Sequence, residues 1–310
     1  MSVAVGAALA LAACTGCFEN PEQPPYRFEV KTDQDLLQLC TRLEKEGGPS
    51  CSDFEAGAAI VSSSDTSDPQ SVFPGPAIAR NQLPPSKQEI RTFLRFEGLF
   101  VPGSHSLPRQ PTKHEQAKVI LTYMLQKSKE RFSRLDSEDQ LRNPRVASLS
   151  VRQRIVLASI VEKEAVSNRN YPEVASVFLN RLDKTMALGS CPTVEYGLGY
   201  HRPFLLFKDL ELQSDYNVYK RGGLPPGPIA QFSDDAYRAV LRPASTKDIF
   251  FVYDWTTGDL DFAEEYSDHK RNAARARSNF IEKYGRDQMY RRFDNLYYED
   301  LPEPEYGKGD

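Results

Sequence analysis

Apolar side chains recur along this chain mostly at three- and four-residue spacing, and they alternate only in short stretches. The first helical stripe is Leu36, Leu37, Leu39, Cys40 and Leu43, with Asp33 or Asp35 as a cap and Gly47-Gly48 as a stop. A longer one runs through Ala117, Ile120, Leu121, Met124, Leu125 and Phe132, predicting a helix over His114–Arg134. Ser150 is placed to cap a helix reaching Glu164. Pro172 stands at the first turn of another, lined by Val174, Val177, Phe178 and Leu182. Ser233 caps a short helix through Val240, and His269–Tyr284 gives the last one. Alternation marks Tyr26–Val30, and Asp248–Asp254 with Leu260–Ala263 frame Thr256-Thr257-Gly258-Asp259 as a hairpin. Phe96–Gly103 reads as a strand running into a turn. Ser50–Pro85, rich in Ser, Asp, Pro and Gly, predicts a loop-rich connection. Together these elements make an α+β protein.

Within the helix ending at Glu164, Val156, Leu157, Ile160 and Val161 share one face at about 100° per residue. Glu164 projects into the middle of that face, whereas Glu162 points almost opposite, into solvent. A carboxyl among apolar groups has its charged form disfavoured, so it keeps its proton to higher pH and can donate it near neutrality. Glu97, Glu195 and Asp215 are further carboxylates with weaker claims. The aromatic and amide residues Tyr196, Tyr216, Asn217 and Tyr219 are of the types that stack on and hydrogen-bond to sugars, or that pack against the Gly222–Ile229 loop, whose Gly and Pro density fixes its shape.

Composition narrows the classes. The chain has 310 residues, 40% hydrophobic and 26% charged, with a net charge of −4, so it lacks the basic footprint of a nucleic-acid binder. Five scattered cysteines and four histidines offer no zinc-ligand spacing and no disulfide framework, so no metal or cofactor is expected. Cys40 and Cys51 bridge if the chain is exported, or stay reduced. Phosphate-loop, G-x-S-x-G and H-E-x-x-H motifs are missing, and nothing in the sequence brings Ser190 and His201 together as nucleophile and base.

Val3–Ala13 is an apolar run resembling the core of a secretory signal, followed by Leu11-Ala12-Ala13-Cys14, which has the form of a lipoprotein processing site. Export is therefore expected, with either a lipid on Cys14 or a longer membrane anchor. The expected organisation is an anchor segment and spacer over residues 1–25, a small β-α module and loop-rich connection over 26–85, a catalytic domain over 86–293 and a disordered acidic tail over 294–310.

Several ordered segments add a resemblance. Leu157-Ala158-Ser159-Ile160-Val161-Glu162-Lys163-Glu164 and Val174–Leu182 resemble the YceG-like family of endolytic murein transglycosylases. So do Pro192–Gly197, Tyr216–Tyr219 and Gly223–Ile229, in the same order, with Glu97–Pro102 similar to the strand-turn element ahead of the catalytic helix. The resemblance covers roughly Phe93 to Asn272. It implies that Glu164, the second glutamate of the V-E-K-E run, is catalytic, on a lysozyme-like active-site helix, and that the amino-terminal module is LysM-like. It further implies an enzyme outside the cytoplasm that cuts nascent peptidoglycan strands between N-acetylmuramic acid and N-acetylglucosamine, leaving 1,6-anhydro ends and limiting strand elongation. Its partners would be glycan strands and the cell-wall synthases. Ser190, Thr193, Tyr196, Tyr216, Asn217 and Tyr219 are the expected substrate contacts. A non-catalytic envelope protein binding glycan through the same groove is the alternative.

The chain departs from the family pattern at two places. Gly189-Ser190-Cys191-Pro192-Thr193 stands where relatives usually have Gln-Ser-Asp-Pro-Thr, losing an amide and a carboxylate. Ser214–Tyr219 replaces Ser-Pro-Tyr-Asn-Thr-Tyr while retaining Tyr216, Asn217 and Tyr219. Neither change touches Glu164.

Overall fold

The computed structural model describes residues 24–64, 75–76, 78–165, 167–201 and 205–285. The Val3–Ala13 run, Cys14 and the acidic tail lie outside them. No helix among the described residues is long and apolar enough to cross a membrane. The chain opens with strand β1 (Tyr26–Val30), helix α1 (Leu36–Lys45) and helix α2 (Cys51–Ser64). Asp35 rather than Asp33 caps α1, in a reciprocal capping box with Gln38.

Helix α2 corrects the loop expected over Ser50–Pro85. Its mixture of Ser, Ala and Gly carries little amphipathic signal. Tertiary packing decides instead, because Phe54, Ala58 and Val61 are buried and the helix lies along the long helix further on. Gly57 permits that approach: a Cβ there would stand 3.3 Å from the backbone nitrogen of Lys118. A Cys40–Cys51 disulfide joins the start of α2 to α1, which selects one of the two redox states left open by the sequence.

The second correction concerns β2. The segment before it forms a short 3-10 turn (Phe93–Phe96), and the strand itself is Gly103–Leu107, past the expected Pro-Gly stop. It pairs antiparallel with β1, Tyr26 opposite Leu107 and Val30 opposite Gly103. The apolar side chains Phe96, Leu99 and Phe100 are core plugs in a turn rather than an alternating strand face.

Helix α3 (Lys113–Asp139) follows, then α4 (Val151–Glu164), α5 (Tyr171–Asp183), α6 (Cys191–Leu198) and α7 (Asp234–Leu241). Ser150 caps α4 in a box with Gln153, and Ser233 caps α7. Helices α4, α5 and α7 pack on one another. Arg154 to Val161 of α4 are all buried, so the helix is wrapped on every side. Its buried Arg154 is neutralised by Asp136 at 2.6 Å, and Ser159 Oγ accepts the Ile229 N–H at 3.1 Å, tying the Gly-Pro loop to α4. The hairpin β3 (Phe250–Asp254) and β4 (Asp259–Ala263), with α8 (Tyr266–Tyr284) laid across it, forms the last elements among the described residues. Two small sheets on a helical body make the molecule α+β.

One buried carboxyl joins parts of the chain far apart in sequence. Glu97 Oε2 accepts the Leu36 N–H at 3.2 Å and the Tyr196 hydroxyl at 3.1 Å, and Oε1 accepts the Gln231 amide at 2.6 Å. Gln231 in turn accepts the Phe100 N–H at 2.9 Å. Burial first, and Asp35 second, push the Glu97 carboxyl up to about 8. Glu97→Ala would orphan three buried donors and should cost about 3 kcal/mol or more in denaturant unfolding. The native state holds this proton to higher pH than the unfolded chain, so stability should fall as pH rises from the ordinary carboxyl range to about 8. That component of the slope should vanish in Glu97→Gln.

Candidate active site

Glu164 is the last residue of α4, at the negative end of the helix dipole, where a carboxylate is least welcome. Its surface is partly open. Facing it is the start of α6, a helix that Gly189 introduces at φ +58°, a conformation glycine adopts without strain. Ser190 Oγ and the Cys191 N–H act on the Glu164 carboxyl, as do the Arg181 cation from α5 and the Glu195 carboxylate from α6. Burial is the largest influence and raises the Glu164 carboxyl to about 7; Ser190, Arg181 and Cys191 restrain the rise and Glu195 adds to it. The Ser190 side chain is fully buried, and its hydroxyl closes no hydrogen bond of normal geometry. A carboxyl balanced near neutral pH can give a proton and take one back.

Tyr219 borders the same place, its hydroxyl 3.1 Å from Cys191 Sγ. Burial pushes the Cys191 thiol up to about 11, so it is neutral at physiological pH. A cleft of about 80 Å³ between the start of α1 and α6 is lined by Asp35, Gln38, Lys163, Pro192, Glu195 and His201 among others, and Glu164 is not part of its lining. His201 Nδ1 lies 2.7 Å from the Glu195 carboxylate, so the histidine partners a glutamate and not Ser190. Among the described residues no cluster has the ligands for a metal ion.

The remaining residues named from sequence are distributed differently. Thr193, Tyr196, Tyr216 and Asn217 are all buried. Thr193 Oγ1 donates to the Ser190 carbonyl at 2.7 Å and so shapes the turn at Glu164. Tyr196 and Tyr216 pack ring to ring at 4.7 Å, and Lys87 Nζ sits 3.2 Å from the Tyr196 ring centroid. Asn217 spends its amide on the Leu210 and Leu212 carbonyls and accepts the Tyr219 N–H. Of the expected contacts, Ser190 and Tyr219 meet at Glu164, and the other four build the scaffold behind them. Asp215 pairs with Arg221. Arg181 was missed by sequence reading: within Asn180-Arg181-Leu182 it looks like one more surface cation, and only the tertiary fold brings it to Glu164.

Glu162 needs correction too. It is not simply solvated: its Oε2 accepts the Ser233 N–H at 3.0 Å and the Ser233 hydroxyl at 2.8 Å, fastening α4 to the cap of α7. Helical spacing separates the two glutamates correctly but is blind to a neighbouring helix start on the second face.

A carboxyl raised toward neutral pH, at the end of a buried helix and facing a helix start, has the properties of an acid/base group. The YceG-like family model matches residues 8–275, and the chain belongs to that family. It is 39% identical over 123 residues to an endolytic murein transglycosylase of Bacillus subtilis (strain 168), covering 40% of this chain and 34% of the relative. It is 30% identical over 185 residues to the endolytic murein transglycosylase of Streptococcus pneumoniae serotype 2, covering 58% of this chain and 32% of the relative. These alignments therefore span about a third of the relatives' own length. A crystal structure of a YceG-like protein from Listeria monocytogenes superposes with TM-score 0.63 at 25% identity, over 81% of this chain and 76% of that one.

The two glutamates should separate in mutagenesis. Glu162→Ala should destabilise the fold by about 1–3 kcal/mol, since it orphans the Ser233 donors. Glu164→Gln should leave the denaturation midpoint nearly unchanged. Equal losses for both would contradict this division.

Proposed function

We propose that this protein is an endolytic peptidoglycan lytic transglycosylase whose single acid/base is Glu164. The observation that carries the reading is the half-buried Glu164 at the end of α4, whose carboxyl burial raises to about 7 beside the start of α6. Membership of the YceG-like family supports it.

The substrate is the β-1,4 bond between N-acetylmuramic acid and N-acetylglucosamine. Protonated Glu164 gives its proton to the bridging oxygen as the bond from C1 to that oxygen breaks, so N-acetylglucosamine leaves with a free 4-hydroxyl. The resulting Glu164 carboxylate then takes the proton of the muramyl 6-hydroxyl as that oxygen closes on C1. The product is a 1,6-anhydro end, no water is consumed, and Glu164 is protonated again. One carboxyl suffices because the two proton transfers are sequential and opposite. Hydrolases need a second carboxylate to activate water or attack C1. We read α4 as a lysozyme-like active-site helix and β1-α1 as part of a LysM-like glycan-binding module. The protein is read as anchored outside the cytoplasm, trimming nascent strands beside the wall synthases.

Digests of purified peptidoglycan analysed by mass spectrometry should contain anhydromuramyl ends at internal cuts. Reducing ends would indicate a hydrolase, and intact strands a glycan-binding protein without activity. Glu164→Gln should lower turnover by at least about 10²-fold, the smaller end of what general acid–base catalysis supplies. The proton donor is lost as pH rises through the Glu164 value, so activity should decline above about 7. A rate that keeps rising through pH 8 would contradict Glu164 as the acid.

Localisation has its own test. If Cys14 carries the lipid, Cys14→Ala should move the protein from the membrane to the soluble fraction. Persistent membrane attachment would place the anchor elsewhere.

A further inference from the structure

The turn that faces Glu164 is itself held by Arg181. Its Nε–H donates to the Ile249 carbonyl at 2.7 Å, and Nη1 donates to the Leu188 carbonyl. The guanidinium is thereby clamped between the entry to β3 and the residue two before Ser190. A Cβ on Gly189 would stand 3.5 Å from Nη1, so the cation lies directly beside this turn. The Phe178 and Phe251 ring centroids, 5.9 and 5.8 Å from the guanidinium carbon, wall its apolar side.

Taking a guanidinium out of water is costly even where two ring faces attract it, and two backbone carbonyls can be tied by a neutral donor at less expense. Among the described residues no ion pair closes on the guanidinium, and Glu164, on α4, is the carboxyl whose field acts on it. The other groups that act on this carboxyl come from Ser190 in the turn before α6, from α6 and from the segment after it. His269 of α8 lies in the field of the same guanidinium and is held below its usual value by burial first and Arg181 second. Glu195 is an opposing anion, and the Cys191 thiol and Tyr219 hydroxyl are both pushed up and remain neutral at physiological pH. Arg181 therefore supplies the positive charge in this set.

We infer that Arg181 is a positioning residue for the proposed cleavage: it holds the Leu188–Cys191 turn against Glu164 and stabilises the carboxylate that Glu164 becomes between its two proton transfers. The inference rests on Glu164 being the acid/base. Without the guanidinium, Glu164 would be a weaker acid when it must release its proton to the bridging oxygen, and its anion would lack its positive neighbour until the 6-hydroxyl returns a proton.

The test is the titration of Glu164 followed by carbon NMR on protein labelled at the glutamate carboxyls, with Glu164→Gln assigning the signal. In Arg181→Gln the midpoint should rise by about one pH unit, as expected for loss of a nearby opposite charge. In Arg181→Lys it should stay close to the parent value. The alkaline limb of the pH–rate profile should move in parallel in Arg181→Gln. A purely structural role would lower the rate at every pH and leave the limb in place. An unshifted midpoint in folded Arg181→Gln overturns the inference.

Should Arg181→Gln fail to fold, the parent protein still decides. The Arg181 Nε–H resonance should titrate with the Glu164 midpoint, and that step should disappear in Glu164→Gln. A resonance indifferent to Glu164 ionisation overturns the inference. The NMR readout does not depend on turnover, so parent protein that leaves glycan intact while showing the coupled titration defeats the cleavage reading and keeps the electrostatic pairing.

Discussion

The arrangement depends on one buried carboxyl other than Glu164. Glu97 receives the first N–H of α1, the hydroxyl of Tyr196 on α6 and the amide of Gln231 ahead of α7. These donors come from three parts of the chain, and none has water to fall back on. The Tyr196 bond fixes α6, whose first N–H meets Glu164. Gln231 leads within two residues to Ser233, which is bonded to Glu162 on α4. The Glu97 network thus sets both the helix that ends in Glu164 and the helix start that faces it. A low-dielectric hub of this kind gains strength from being fully satisfied and would fail as a unit if one member were lost.

The two glutamates of α4 divide their work along the same lines. Two positions apart, they project from different sides of the helix. Glu162 meets the start of α7, where incoming donors and a helix N-terminus welcome negative charge. Glu164 meets the start of α6 from the C-terminal end of its own helix, and burial is the largest influence on its carboxyl.

Much of this was legible in the sequence. Ser150 and Ser233 marked helix starts because a short polar side chain before an apolar stripe has few other uses, and the hairpin was visible from two alternating runs around a glycine turn. Helix α2 was not, because its Ser, Ala and Gly positions carry little amphipathic pattern, and the burial of Phe54 and Ala58 comes from the tertiary fold. The β2 strand was misplaced because Phe96–Val101 has the composition of a strand while serving as a plug. Tyr196 and Tyr216 illustrate a harder limit. A tyrosine beside a groove and a tyrosine beneath it read alike in sequence, and only burial tells them apart. Arg181 escaped for the converse reason, since nothing in its local sequence reveals that a distant carboxyl will be its neighbour.

The departures at Gly189 and Cys191 acquire a physical meaning from this geometry. Where the family pattern usually carries an aspartate, this chain places a thiol that burial keeps neutral and that pairs with Tyr219. A carboxylate at that point would lie in the field of Glu164 and raise its proton affinity further, as Glu195 already does. Substituting a neutral group leaves Glu195 as the opposing anion and Arg181 as its counterweight. The glycine at 189 keeps the turn close beside that guanidinium. In such a setting the Glu164 carboxyl is raised to about 7 with a neutral thiol, and not a carboxylate, at position 191.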